Sequence, residues 1–261
     1  MSFFSLFSKP IAKIYIKELR TRLDSTVVPI FIPDTTIEVG DFGTFKDGQF
    51  VSWGNVSGRG VELDVKQSRV NAFEFASRDK VKIGQSAELP NPAGGKLLKT
   101  QLTFTKSEAV VASFQGGVER RVADADAFGQ TLMELWYGKQ LNQDRVVVWS
   151  LRRATGGTVL VSEDGNNQVD VMADSALLGP AGLTLAGLSV GVQFGAEQKA
   201  TWKLSSSDVP LVVWARLFRL DDRHKAAVDA FGFESDRPRL QAEVAGQRPA
   251  AFTADDLLGY L

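Results

Sequence analysis

The sequence predicts an α+β fold: a twisted, mostly antiparallel β-sheet with flanking helices. Apolar and polar residues alternate along several segments, the period of a half-buried strand. Helical spacing is confined to short stretches near 11–19, 128–136 and 226–231. The 24 glycines, several in Asp-Gly and Gly-Gly pairs, supply the turns that an antiparallel sheet requires.

The chain opens MSFFSLFSKPIAKIYIKELRTR. Phe3, Phe4, Leu6 and Phe7 precede Pro10, and Ile11, Ile14, Tyr15 and Leu19 then recur at helical spacing. Lys9, Lys13 and Lys17 form an i, i+4 row on another face. Charges are interleaved with the apolar residues, which disfavours a secretory signal peptide. Two roles are open for this segment: an amphipathic helix packed on the body, or a basic helix that also touches anionic lipid through the Phe cluster and the lysines.

From residue 27 the period becomes two. Val27, Val28, Pro29, Ile30, Phe31 and Ile32 form a β-rich run, and Gly40-Asp41 marks a turn. Asp47-Gly48 predicts a hairpin leading into Phe50, Val51 and Trp53. Gly54, Gly58 and Gly60 read as a bend, since no phosphate-loop pattern follows a strand here. Leu98, Leu102 and Phe104 alternate with polar residues, and Val110, Ala112 and Phe114 form an expected partner strand. Asp124 or Asp126 then opens a helix with Phe128, Leu132, Leu135 and Trp136 on one face, ending near Gly138. Val147, Trp149 and Leu151 begin a second expected pair, turning at Gly156-Gly157 and returning through Val159, Val161, Val169 and Val171. Residues 175–196 carry no charge, but Gly179-Pro180, Gly182 and the alternation of Leu188, Val190, Val192 and Phe194 argue for strand over a spanning helix. Ala200, Trp202 and Leu204 pair with that strand, and residues 210–220 form a run strong enough to sit mid-sheet. The division is a body, 1–220, and a tail, 221–261.

Composition narrows the chemistry. A formal net charge of −1 leaves no cationic surplus for nucleic acid. Apolar residues at 44% and charged residues at 23% suit a folded globule. No cysteine is present, so disulfides, thiol catalysis and metal–thiolate sites are excluded. His224 is the single histidine and reads as a solvated helix residue. The carboxylate pairs Asp124/Asp126, Asp221/Asp222 and Asp255/Asp256 sit where helices begin, so capping explains them. The doublets Arg120-Arg121 and Arg152-Arg153 read as a solvated rim, or as contacts to lipid headgroups or a partner. The expectation is a protein without enzymatic activity and without a cofactor.

What remains is shape: long amphipathic antiparallel strands beside a basic helix. Strands of about 9–11 residues cross a bilayer only as a closed barrel, which here demands many copies. The order of features resembles the pore-forming domain of gasdermins, most closely the compact bacterial and fungal members. The residues concerned are Ile16-Lys17-Glu18-Leu19, Val28-Pro29-Ile30, Gly40-Asp41, Lys46-Asp47-Gly48, the 146–153 strand with its glycine turn, and the 210–220 strand. The resemblance spans roughly residues 11–220. It implies a soluble autoinhibited monomer that, after proteolysis or another trigger, inserts two β-hairpins into a membrane and oligomerises into a lethal pore. In bacteria that activity serves antiviral defence. The expected partners are anionic membrane lipids, further copies of the chain and an activating protease. The protein is expected in the cytoplasm when inactive and at the inner or plasma membrane when active.

Residues follow from this reading. Phe3, Phe4, Phe7, Lys9, Lys13 and Lys17 are the expected membrane contacts. Residues 97–116 and 145–173 are the expected inserting hairpins, with Leu98, Leu102, Phe104, Val110, Phe114, Val147, Trp149, Leu151, Val159 and Val161 on their apolar faces. Leu257, Leu258, Tyr260 and Leu261 either latch the tail over the body or complete its core. Arg237, Arg239 and Arg248 are candidate cleavage positions. The alternative from a different class is a non-enzymatic α+β protein-binding or scaffold module; an enzyme built on a carboxylate pair ranks last.

Overall fold

A computed structural model describes residues 8–31, 37–46, 49–90, 96–174, 193–194, 201–206, 211–230 and 246–259. Its elements in order are α1 (Ser8–Leu19), β1 (Val28–Pro29), β2 (Asp41–Lys46), β3 (Gln49–Asn55), β4 (Val65–Val70), β5 (Phe73–Ala76), β6 (Val81–Pro90), β7 (Lys96–Phe104), β8 (Ala109–Phe114) and β9 (Gly117–Val122). Then come α2 (Ala125–Tyr137), β10 (Val146–Ala154), β11 (Gly157–Ser162), β12 (Asn167–Asp174), β13 (Gln193–Phe194), β14 (Thr201–Ser206), β15 (Leu211–Arg219), α3 (Asp222–Ala230), β16 (Ala250–Phe252) and α4 (Ala254–Gly259). The class is α+β, built on antiparallel sheets.

Three sheets form. The first runs β1-β15-β10-β2-β3, with β16 on β15 and the pair β9-β4 beside β10. β15 sits mid-sheet, as its β-branched and aromatic residues predict, and buries Val212, Val213, Ala215 and Leu217. β10 serves two neighbours on one side: Val146 and Val147 pair with β2, whereas residues from Ser150 to Ala154 pair with β9. A bulge between Val148 and Ser150 lets it change partner. The second sheet is β14-β11-β8-β5 and the third is β13-β12-β7-β6.

The expected strand pairs need correction. β7 does not pair with β8, and β10 does not pair with β11. Instead β7 lies between β6 and β12, while β8 lies between β5 and β11. Period two identifies a strand and its buried face; it says nothing about which strand lies alongside. The link at 105–108 has hairpin length but carries the chain from the third sheet to the second. Gly156-Gly157 is likewise a close crossing. A Cβ on Gly157 would lie 2.5 Å from the Phe114 ring and 2.8 Å from the Ser113 carbonyl oxygen, so only glycine fits. Instead β6 pairs antiparallel with β7, and β12 with β13.

Helices follow their signals. The Asp124 carboxylate accepts the Asp126 and Ala127 N–H groups and caps α2, which buries Phe128, Leu132, Leu135 and Trp136. α1 buries Ile11, Ile14, Tyr15, Ile16 and Leu19 against β8, β11, β1 and α4. The packed-helix role of the N-terminal segment is therefore realised. Lys46 opposes Gln49, the register a two-residue Asp-Gly turn demands, although 47–48 lie outside the described residues. Within the uncharged stretch 175–196 only Gln193 and Phe194 are described, and they are strand, as the alternation predicts.

The described tail joins the main core. Phe252 opposes Leu217 across β16–β15, and Phe252, Ala254 and Leu257 are buried with Val147, Leu217 and Leu220 in one cluster. Leu258 packs on the same cluster. Thr253 and Asp256 exchange hydrogen bonds in a reciprocal cap of α4. Tyr260, Leu261, Arg237 and Arg239 lie outside the described residues. Because Leu257 is wholly buried, Leu257→Ala should destabilise the whole protein by about 2–5 kcal/mol in one cooperative urea transition. A separate low-urea transition, with the body's midpoint unmoved, would instead identify an independently docked lid.

Candidate functional site

The second and third sheets read as one four-stranded ribbon bent across its middle. Their strand orders correspond position by position: β5 continues into β6, β8 is preceded by β7, β11 continues into β12, and β14 is preceded by β13. Three of the four links are described, at 77–80, 105–108 and 163–166. Each holds one non-glycine residue in left-handed backbone: Asp79 at φ 56°, Glu108 at 52° and Asn166 at 61°. Lys139 is the other such residue among those described. An L-residue placed there costs about 1–2 kcal/mol, which the surrounding bonds must offset.

Those bonds tie one corner to the next. Thr105 N–H donates to the Lys80 carbonyl at 2.8 Å, and Glu108 N–H to the Glu163 carbonyl at 3.1 Å. Ser77 N–H donates to the Val110 carbonyl, and Val110 N–H to Ser77 Oγ, each at 2.9 Å. Asn167 Nδ2 donates to Ser162 Oγ at 2.7 Å, and that hydroxyl donates to the Asp164 carbonyl at 2.8 Å.

The bend packs one face of the third sheet on the second. Leu102, Phe104, Val169 and Val171 meet Ala109, Val111 and Leu160 in a core separate from the main one. The opposite face of the third sheet carries Lys82, Lys99, Gln101, Thr103, Gln168 and Asp170, with Lys99 Nζ 2.7 Å from an Asp170 oxygen. The opposite face of the second sheet carries Val110, Phe114, Val159 and Val161 into the main core beneath α1. Of the ribbon's four central strands, β7 and β12 are thus amphipathic, whereas β8 and β11 are buried on both faces.

The expected hairpin residues divide three ways. Leu102 and Phe104 lie between the two sheets; Val110, Phe114, Val159 and Val161 lie under α1. Leu98 opposes Glu88 and Ala173 in the ladder, and its side chain is outside the description. Val147, Trp149 and Leu151 belong to the first sheet, because β10 pairs with β15 rather than β11. Trp149 sits at the bulge, stacked on Phe218 at 5.4 Å.

The basic row on α1 is split similarly. Lys13 is exposed. Lys17 Nζ lies 2.6 Å from a Glu108 carboxylate oxygen, so one corner occupies this lysine. The hydrogen bond and charge of Glu108 hold the Lys17 ammonium above its ordinary pKa, and Lys17 holds the Glu108 carboxyl below its own. Each partner therefore favours the charged form of the other. Lys9 belongs to α1, with its side chain outside the description, and Phe3, Phe4 and Phe7 are not described. Asp79, Lys80 and Glu108 carry no sequence signal beyond a break in strand alternation. Asn166 had one, the Asp164-Gly165-Asn166-Asn167 bend.

The carboxylate pairs have structural partners. Asp126 binds Arg248 at 2.6 Å, Asp221 accepts the His224 N–H at 2.9 Å, and Asp255 meets Arg20. His224 is half-buried beside Asp221 rather than solvated. Among the described residues no cluster could hold a metal ion, and no helix is long and apolar enough to cross a membrane. No protein-family model matches the chain, and no curated protein is significantly similar to it.

Left-handed backbone is strongly disfavoured for β-branched residues. Asp79→Val should therefore destabilise the first corner by about 1–3 kcal/mol. Hydrogen exchange at Thr105, whose amide bonds to that corner, should accelerate accordingly, while Asp79→Gly leaves the bent form in place.

Proposed function

We propose that this protein is a membrane pore-former of the gasdermin-like kind, a cell-death effector whose bent ribbon straightens and inserts. The observation that carries this reading is the position-by-position match of strand order across the bend, combined with an amphipathic outer half. β5 with β6 runs from Phe73 to Pro90, β7 with β8 from Lys96 to Phe114, and β11 with β12 from Gly157 to Asp174. At about 3.3 Å per residue, a straightened strand of such length reaches roughly 60 Å. The hydrocarbon core is about 30 Å thick and needs about 9–11 tilted residues. The outer half alone is long enough to cross, and the inner half keeps it attached to the body.

Ribbon edges support assembly. β5 and β6 form one edge, β14 and β13 the other, and among the described residues neither edge is paired. Four antiparallel strands leave the two edges running in opposite directions, so the edge of one copy continues the ladder of the next. Such head-to-tail contacts generate rings when the rotation closes. A ring of copies leaves no open edge in lipid, the condition for β-structure to cross it. The apolar stripe of Leu102, Phe104, Val169 and Val171 then faces lipid, and Lys99, Gln101, Gln168 and Asp170 face the aqueous lumen. The inserting hairpins on this reading are 81–104 and 167–194, displaced from the sequence expectation by the corrected pairing. Anionic lipid is the target surface and further copies are the partners. The resting protein is cytoplasmic, the active one is at the inner or plasma membrane, and the chemistry is not enzymatic.

The lack of native cysteine makes a site-by-site test clean. Single cysteines placed at 99 through 104 and labelled with an environment-sensitive dye are mixed with anionic liposomes carrying a second, released dye. Release should accompany apolar signals at 102 and 104 and aqueous signals at 99, 101 and 103. Gln101→Asp should release normally, whereas Val169→Asp should suppress release, since a midplane charge on the lipid face costs about 2–4 kcal/mol per subunit. Failure of the full-length and tail-cleaved protein to release dye, with uniform aqueous signals, refutes the pore and favours the binding-module alternative.

A further inference from the structure

Resting on that reading of the ribbon, we propose that the last turn of α1 is the catch that keeps the ribbon bent, acting through Lys17 and Glu18 on two corners at once. Glu18 Oε1 lies 2.9 Å from Lys80 Nζ, and the two side chains are only 12% and 25% exposed. The same ammonium donates to the Glu108 carbonyl at 2.9 Å. Lys80 thus bridges the helix to the carbonyl of a residue in left-handed backbone. Lys17 binds the carboxylate of that residue from the other side. One residue, Glu108, is therefore held at its side chain by α1 and at its carbonyl by the corner before it.

Contact then propagates without a gap. The Lys80 carbonyl receives Thr105 N–H, closing the first corner on the second, and the Glu163 carbonyl receives Glu108 N–H, closing the second on the third. A single helical turn is bonded into a hydrogen-bond chain that crosses all three described corners. Straightening the ribbon moves 77–80 and 105–108 away from their folded backbone, so Lys80 and Glu108 cannot keep these partners. Half-buried Glu18 would be left without its counter-charge, which is costly where water is scarce. Exposed pairs such as Lys17–Glu108 contribute less. The Glu18–Lys80 pair is accordingly the main element of the catch.

The test separates the catch from the pore. Hydrogen exchange is measured on the full chain for Glu18→Lys, Glu18→Lys/Lys80→Glu and the milder Glu108→Gln, alongside dye release from anionic phospholipid vesicles. Glu18→Lys sets two ammonium groups against each other and should speed exchange at Ser77, Thr105, Glu108 and Val110 at least tenfold. Amides of Leu132 and Met133 in α2 should stay protected, and the lag before dye release should shorten. The double variant restores opposite charges and should return both readouts most of the way. Glu108→Gln should give a smaller acceleration confined to 105–108. Unchanged corner exchange in Glu18→Lys, or equal acceleration in the single and double variants, overturns the catch. Acceleration shared by α2 in every variant also overturns it, because the effect is then global. Rescue of corner exchange without dye release by any variant upholds the catch and refutes the pore.

Discussion

An apolar stripe on a sheet whose other face is wet must be kept out of water, and this constraint organises the molecule. Leu102, Phe104, Val169 and Val171 have no helix above them; they are covered by the second sheet. Burying each such side chain contributes about 1.5–3 kcal/mol. Each described corner carries a residue in disfavoured backbone, at about 1–2 kcal/mol. In water the stripe outweighs the strain and the ribbon stays bent. On the proposed reading, a lipid phase would remove the stripe's need for the second sheet and leave the strain in place.

Much of this was legible in the sequence wherever a local rule decides the outcome. Asp124 caps α2 because its carboxylate reaches two orphan N–H groups. Residues 211–219 form a central strand because β-branched and aromatic side chains suit a strand paired along both edges. The faces of β7, β8, β11 and β12 were equally readable from their period. Pairing was not, because it depends on which strand arrives alongside through tertiary packing. Leu102 and Phe104 lie on the buried face that their period predicts, beside neighbours that it does not. The corners were hidden for a related reason: nothing in Arg78-Asp79 or Ser107-Glu108 distinguishes a reversal from a bend between sheets.

Charged residues divide by what they hold. On the first sheet, Glu38 receives Arg120 and Arg153, and Glu119 receives Arg216 at 2.9 Å and the Ser150 hydroxyl at 3.1 Å. Arg152 lies over the Trp214 ring at 4.4 Å. These arginines are bonded to partners within the body. The pairs on the ribbon are different in kind, because Lys17–Glu108 and Glu18–Lys80 each join two elements that the bent form alone brings together.

The same logic bears on the tail. Its buried residues fill the main core, yet α4 also packs against α1, and Asp255 meets Arg20 one residue beyond that helix. α1 in turn covers β8 and β11 and reaches the corners through its last turn. Completing the core and restraining the ribbon are therefore not competing roles for 246–259. Under the proposed catch, a segment packed on α1 would stabilise the body and the bend through one set of contacts. Arg248 is exposed and paired with Asp126 at the start of α2. A cut there would detach β16 and α4 from the chain while leaving β15, α1 and the ribbon covalently intact. Its effect on the bend would then rest on how firmly Phe252 and Leu257 keep the severed segment in the core.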